Sequence, residues 1–279
     1  MTASPVDEPL ALPAGAWDCH AHIFGPWHQY PLPADPPYVP DEAPLSAYLG
    51  LHARLGIAHG VLVQPACYGD DHAAILGALD HSGGTYRGIA LIAPDVAEST
   101  LAAMHAKGIR GARFNVMPHL PGSIAPAYIA AVVQRIRPYG WHVLIHGQLA
   151  GVLEVLPDVV GLGVPVVIDH MARVRASDGT DYPGFHELEA YVQRPDVWIK
   201  LSGADRISER PPYDDALAVA RRLLALAPER ALWGSDWPHP NISYPWPDES
   251  RLLALLRSVC DGDAAFHRVL VDNPARLYS

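Results

Sequence analysis

Trp17-Asp18-Cys19-His20-Ala21-His22-Ile23-Phe24 puts two histidines one residue apart in what reads as a strand. Side chains at i and i+2 of a strand share a face, so His20 and His22 project together. Two neutral imidazoles side by side make half of a metal site or a clamp for a carbonyl oxygen. A His-x-His pair in a surface loop would mean nothing, so the reading depends on the rest of the chain. Three later segments support it, each ending an apolar run with a histidine or an aspartate: Val143-Leu144-Ile145-His146, Val166-Val167-Ile168-Asp169-His170 and Leu232-Trp233-Gly234-Ser235-Asp236.

Outward from that stretch, strand-like and helix-like segments alternate. Further strands are expected at Gly60–Pro65, Tyr86–Pro94, Gly111–Val116, Trp141–His146, Val164–His170, Val197–Ser202 and Arg230–Asp236, which with the first makes eight. Runs that are apolar on both faces suit buried parallel strands. Helices are expected at Leu45–Leu55, Asp71–Leu79, Ser99–Ala106, Ala127–Ile136, Phe185–Val192 and Tyr213–Leu226, with Asp70, Ser99 and Asp214 placed to cap them. Two more, Glu249–Val259 and Asp263–Leu270, follow the last strand. The repeat is roughly 25 to 40 residues, one strand plus one helix and their loops. This predicts a single-domain α/β protein, a (β/α)8 barrel over residues 17–279 preceded by an N-terminal arm, residues 1–16. An open doubly wound sheet is the competing layout, but no GxGxxG follows the first strand.

The bulk properties narrow the function. The chain has 279 residues, 49% of them hydrophobic, enough for a large core. Its net charge of −10 and lack of a basic run point away from nucleic acid. No apolar run approaches the ~18 residues of a membrane span, and the first residues lack a leader pattern. Three cysteines, Cys19, Cys67 and Cys260, are widely spaced without CxxC, which argues against a disulfide framework and fits a reducing, cytoplasmic setting. Most of the 15 histidines, such as His52, His59, His72, His81 and His105, sit in helix-like or loop-like surroundings and carry no functional expectation.

In such a barrel the strands end at one rim, where catalytic groups belong. His20, His22, His146, His170 and Asp236 would meet there. The strings DCHAHIFGP (Asp18–Pro26), RFN (Arg113–Asn115), IDHM (Ile168–Met171) and WGSDWPHPN (Trp233–Asn241) resemble the amidohydrolase superfamily, in its amidohydrolase-2 branch, from about Trp17 to Tyr278. Within it the chain is similar to the pyrone dicarboxylate lactonases and to related lactone hydrolases and isomerases. The resemblance implies one divalent metal, zinc or else manganese, held by His20, His22, His146 and Asp236, with His170 beside it as electrophile or proton carrier. Asp236 would take a proton from water while His20, His22 and His170 polarise the carbonyl. The pyrone lactonases, by the same resemblance, carry tyrosine where His146 stands and use no metal. A metal-free mechanism, with His146 bonding substrate, therefore stays open.

On the substrate side, Arg113, Arg173 and Arg206 fall near the same rim. Guanidinium forks bind carboxylates bidentately, so two of them would suit a small anionic lactone; structural pairing with Asp or Glu is the alternative for each. The pyrone-lactonase pattern has a further arginine where this chain has His119. Gln64, Tyr68 and Ser202 would either line the pocket or serve packing and loop bonding. Trp237, Tyr244 and Trp246 would form either a lid or a contact between copies in a homo-oligomer. The expected activity is hydrolysis of a carboxylated lactone in aromatic or sugar-acid catabolism. The alternatives are a metal-dependent decarboxylase or a lactone isomerase on the same scaffold, and, of another class, a binding protein whose inherited site no longer reacts.

Overall fold

The computed structural model describes residues 10–117, 125–242 and 247–279. Eight strands, β1 (Trp17–Ala21), β2 (His59–Val63), β3 (Tyr86–Ala90), β4 (Ile109–Asn115), β5 (His142–His146), β6 (Val166–Ile168), β7 (Val197–Lys200) and β8 (Ala231–Leu232), pair in parallel in chain order. Beyond the short β8, the backbone closes the ring onto β1. Cys19 N donates to Trp233 O at 2.9 Å, Asp236 N to His20 O at 2.9 Å and His22 N to Trp237 O at 2.8 Å. Asp18 fastens the same seam, its carboxylate accepting from Ser235 N at 2.8 Å and Ser235 Oγ at 2.5 Å. Gly234 is required there, since a Cβ would come within 2.6 Å of the His20 backbone nitrogen.

All eight expected strands are present, but they end earlier than the apolar runs do. His22 lies just past β1, His170 two residues past β6 and Asp236 four past β8. His22, His170, Arg173 and Asp236 therefore sit beyond the strand ends, while His20, Arg113 and His146 lie within β1, β4 and β5 near their carboxyl ends.

The helices are α1 (Leu45–Leu55), α2 (Ala73–His81), α3 (Glu98–Ala106), α4 (Pro126–Ile136), α5 (Leu149–Val159), α6 (Pro183–Val192), α7 (Ala204–Ile207), α8 (Ala216–Leu226), α9 (Glu249–Val259), α10 (Gly262–His267) and α11 (Asn273–Tyr278). None is long and apolar enough to cross a membrane. α5 is a helix that the sequence analysis did not place; Pro157 lies in its last turn and forgoes the bond that a donor there would make to Leu153 O. The expected caps are corrected. The helices begin at Ala73, Glu98 and Ala216, and their N-cap residues make no side-chain cap bond. Asp71, not Asp70, reaches Ala73 N at 2.9 Å, and Asp248 caps α9 by accepting from Ser250 N.

Two apolar layers hold these elements. One lies between strands and helices; the other fills the lower barrel with Trp17, Cys19, Val61, Val63, Ile89, Leu144, Val167, Trp198, Leu232 and Tyr278. Each large side chain so buried contributes about 1.5–3 kcal/mol. Alternation along the strands then decides what stands above that floor. Two residues on from Leu144 is His146, from Val167 is Asp169, and from Trp198 is Lys200, and all three are buried. The polar site thus rests on the apolar barrel interior. Leu10 and Leu12, before β1, pack against the outer layer.

Candidate active site

At the carboxyl rim His22, Tyr38, Ala66, Arg113, His146, His170, Arg173, Arg206, Asp236, Pro240 and Asn241 line a cavity of about 200 Å³. Every sequence-expected site residue except His20 lines it directly, and His20 lies beneath, fully buried. The rings of His20 and His22 are 5.0 Å apart, with Nε2 atoms 3.3 Å from each other. Asp236 Oδ1 stands 3.6 Å from His20 Nε2, 3.7 Å from His22 Nε2 and 3.8 Å from His170 Nε2. Its other oxygen, Oδ2, accepts from Arg206 Nε at 2.7 Å and pairs with Arg206 Nη2 at 2.6 Å. Burial pushes the Asp236 carboxyl up, but Arg206 foremost, with the histidines beside it, holds it well below the usual carboxylate range.

An uncommon backbone delivers two of these residues. His170, Met171, Ala172 and Arg173 have φ of 49°, 52°, 55° and 46°, a left-handed turn without a glycine, costing about 1–2 kcal/mol per residue. Its return brings His170 and Arg173, three residues apart, to the same cavity. His170 Nδ1 is fixed by Ser202 Oγ at 2.9 Å. Gly203, at φ 71°, lies so close that a Cβ would sit 2.9 Å from His170 Cβ.

Burial, above all else, lowers the pKa of each histidine: His22 to about 4, His20 and His146 well below the usual value, and His170 below it. Neutral imidazoles present one donor and one acceptor each. His22 Nδ1 meets Val63 O at 2.7 Å; a carbonyl only accepts, so Nε2 of His22 carries a lone pair towards the site.

This donor set fits a small divalent cation. His20, His22 and Asp236 bring three potential ligand atoms within 3.7 Å of one another, and a tetrahedral ion bonded at about 2.0–2.2 Å spaces its ligands by about 3.3–3.6 Å. His146 is not part of that tight trio. It stands across from His170, ring centres 5.8 Å apart, its Nδ1 3.2 Å from Asn115 Oδ1.

The arginines differ in how far they are committed. Arg206 is occupied by Asp236 and by Pro240 O at 2.8 Å. Arg113 donates from Nη1 to Gln64 O at 3.3 Å, while its buried Nε has no partner. Arg173 makes no hydrogen bond or ion pair among the described residues, so two cationic forks face the cavity with free donors. Ser202 acts on His170. Gln64 and Tyr68 bond loops instead, Gln64 Nε2 to Asp71 O and Tyr68 OH to Tyr30 O. Trp237 stacks on Tyr48; His119, Tyr244 and Trp246 lie outside the described residues. His239 is buried behind Asp236, its Nδ1 3.6 Å from Asp205 and its Nε2 3.4 Å from Glu249.

Two buried groups that the sequence reading left without a role touch the site from below. Asp169 Oδ1 is 3.1 Å from His20 Nδ1, and Lys200 Nζ is 3.1 Å from that same nitrogen and 3.0 Å from Asp169 Oδ1. Their signal was a charged residue ending a buried strand run, two places beyond an interior apolar residue.

Comparison with known proteins gives a family and several relatives. The Amidohydro_2 family model, described as amidohydrolase, matches residues 17–279. A 4-sulfomuconolactone hydrolase from Hydrogenophaga intermedia is 37% identical, covering 96% of this chain and 90% of its own. A 2-pyrone-4,6-dicarboxylate hydrolase from Comamonas testosteroni is 34% identical, covering 99% and 94%. A D-galactarolactone isomerase from Agrobacterium fabrum is 30% identical, covering 96% and 92%.

Proposed function

This chain belongs to the amidohydrolase family, and from that premise we propose that it hydrolyses the lactone ring of a small carboxylated substrate. Such rings arise in the breakdown of aromatic compounds and sugar acids, and the lactone-opening activities named for its relatives support the assignment. The observation that carries the reading is the divided Asp236 carboxylate. One oxygen is anchored by Arg206, and the other is free opposite three imidazoles in a cavity edged by the guanidinium groups of Arg113 and Arg173.

Arg113 and Arg173 bind the substrate carboxylate and turn the lactone carbonyl towards His20, His22 and His170. Asp236, ionised through the neutral range, accepts a proton from the attacking water through Oδ1. The imidazole N–H groups of His20 and His170 face the oxygen on which negative charge develops as the water oxygen bonds to the carbonyl carbon, while the His22 Nε2 lone pair accepts from His20. Collapse breaks the bond from that carbon to the ring oxygen, which takes the proton back from Asp236 and leaves as a hydroxyl. The new carboxylic acid ionises, so each ring opened releases one proton. A divalent ion, zinc or manganese, held by His20, His22 and Asp236 with His146 at hand, would when bound lower the pKa of water and polarise the carbonyl. His146 either completes that set or bonds the substrate.

The isomerase relative supports a second reading, in which a hydroxyl of the substrate replaces water and the ring migrates. The three cysteines are free and buried, in keeping with a cytoplasmic setting. The test is a panel of lactones matched in ring and differing in carboxylate number, followed by proton release. Carboxylated members are expected to be opened with at least about 100-fold higher kcat/KM, from charge-assisted pairing with two arginines. Equal rates for charged and neutral lactones would overturn the substrate class, and failure to open any would overturn the activity.

A further inference from the structure

We infer that Lys200 and Asp169 select which ring nitrogen of His20 carries its proton, and that Lys200 holds the His20–His22 pair in its hydrogen-bond-donating form. The inference rests on reading this cavity as the reaction site, but its chemistry is internal to the protein.

His20 Nδ1 has two neighbours with opposite demands. Lys200 Nζ, 3.1 Å away, is an ammonium that only donates, whereas the Asp169 carboxylate, also 3.1 Å away, only accepts. Lys200 Nζ also lies 3.0 Å from Asp169 Oδ1, so the carboxylate faces a cation as well as the ring. Lys200, Asp169 and His20 are all fully buried, so solvent does not settle the competition. A neutral imidazole has one proton, and its position satisfies one neighbour at a time.

With the proton on Nε2, Lys200 donates to Nδ1 and stays ion-paired with Asp169 Oδ1, 3.0 Å away. The Nε2–H then faces the lone pair of His22 Nε2 at 3.3 Å, a lone pair fixed by the Val63 contact on the other side of that ring. Each group has a complement, and His20 keeps a proton turned towards the place where a carbonyl oxygen would come. With the proton on Nδ1, Asp169 is the acceptor. His20 Nε2, His22 Nε2 and Asp236 Oδ1 then present three lone pairs to one another across 3.3–3.7 Å, an arrangement that needs a cation among them. A ligating histidine that donates its other N–H to a carboxylate is the usual support for such binding. Asp169 therefore favours the ligating form, and Lys200 the donating form. The buried pair is a positioning device for His20 that sets how readily the site takes up metal.

The experiment uses intact protein labelled with 15N-histidine, with His20 assigned by loss of its signals in His20→Gln. In metal-free wild type the proton is expected on Nε2, and on zinc addition it is expected to move to Nδ1. Zinc affinity, measured by competition with a chromophoric chelator, is expected to rise about tenfold in Lys200→Met and fall about 10–100-fold in Asp169→Asn. Removing one partner of a buried ion pair can unfold a protein. Lys200→Gln and the double variant Lys200→Met/Asp169→Asn therefore accompany the single variants, and the wild-type spectra stand without any of them. A metal-free His20 protonated on Nδ1 or on both nitrogens, zinc affinities that shift in the same direction in the two single variants, or zinc bound by none of the proteins would overturn the inference. These readouts do not involve lactone turnover, so a protein that passes them yet opens no lactone would overturn the proposed reaction alone.

Discussion

Arg206 grips one oxygen of Asp236 with two nitrogens, Nε at 2.7 Å and Nη2 at 2.6 Å, and leaves the other oxygen turned to His20, His22 and His170. The two residues are 30 positions apart, on the rims after β7 and β8, and the contact fixes both the direction and the charge of the carboxylate. Arg206 also reaches Pro240 O, tying the loop that carries Asp236 to α7.

Replacing this fork while keeping its charge separates orientation from charge. Arg206→Lys is expected to lower kcat by about 10–100-fold, since an ammonium cannot hold a carboxylate bidentately. Arg206→Gln is expected to do the same and to move the acid limb of the kcat/KM profile to higher pH, because Arg206 is the foremost group lowering the Asp236 pKa. A rise in KM with kcat and the acid limb unchanged would mean that Arg206 binds substrate instead.

Arg113 and Arg173 should act on binding. Arg113→Met and Arg173→Met are each expected to raise KM for a carboxylated lactone by about 10–100-fold, as loss of a charge-assisted hydrogen bond of about 1.5–3 kcal/mol requires. An uncharged lactone should be opened as before. Equal losses with charged and neutral substrates would point to a structural role.

His239 makes stability depend on alkaline pH. Burial alone would lower its pKa, but Asp205 and Glu249 outweigh burial and raise it to about 9. The folded state therefore binds a proton more tightly than the unfolded one. The stabilisation, on the order of 3 kcal/mol, is fully present below about pH 6.5 and is lost as pH rises through about 9. Denaturant unfolding between pH 6 and 10 should show the fall in wild type and a shallower one in Glu249→Gln. Identical slopes in the two proteins would remove the assignment.

His142 gives the opposite limb. It is buried beneath Tyr278, ring centres 5.4 Å apart, and burial first, then Lys200, lower its pKa to about 3. Here the unfolded state takes up the proton first, so stability should fall by about 1.4 kcal/mol per pH unit as pH drops from about 6.5 towards 3. His142→Leu should remove one proton from the uptake on acid unfolding. Unchanged uptake would contradict the lowered pKa.

Much of this was legible in the chain because hydrophobic runs that end in a ligand-type residue also end at one rim. That pattern located His20, His22, His146, His170 and Asp236, and Arg113 and Arg173 beside them. Other features do not follow from local pattern. The left-handed turn His170–Arg173 contains no glycine and is imposed by its surroundings, and the partner of Arg206 is set by how β7 and β8 lie together. Lys200 and Asp169 stood in quoted strand segments, but their significance needed the alternation of interior positions to be followed one step beyond Trp198 and Val167. α5 carries Gly151 and Pro157, both weak helix formers, within its pattern. The expected caps failed because Asp70, Ser99 and Asp214 lie one or two residues from the N-cap positions.

The most direct measurement is turnover of a carboxylated lactone in 18O-water by wild type and by Asp236→Asn, read by mass spectrometry of the product. Wild type is expected to give the hydroxy acid with one 18O in the new carboxylate, and Asp236→Asn to lower kcat by about 10²–10⁴-fold, the range for a lost general base. An isomeric lactone without label, or full activity in Asp236→Asn, would contradict water attack assisted by Asp236.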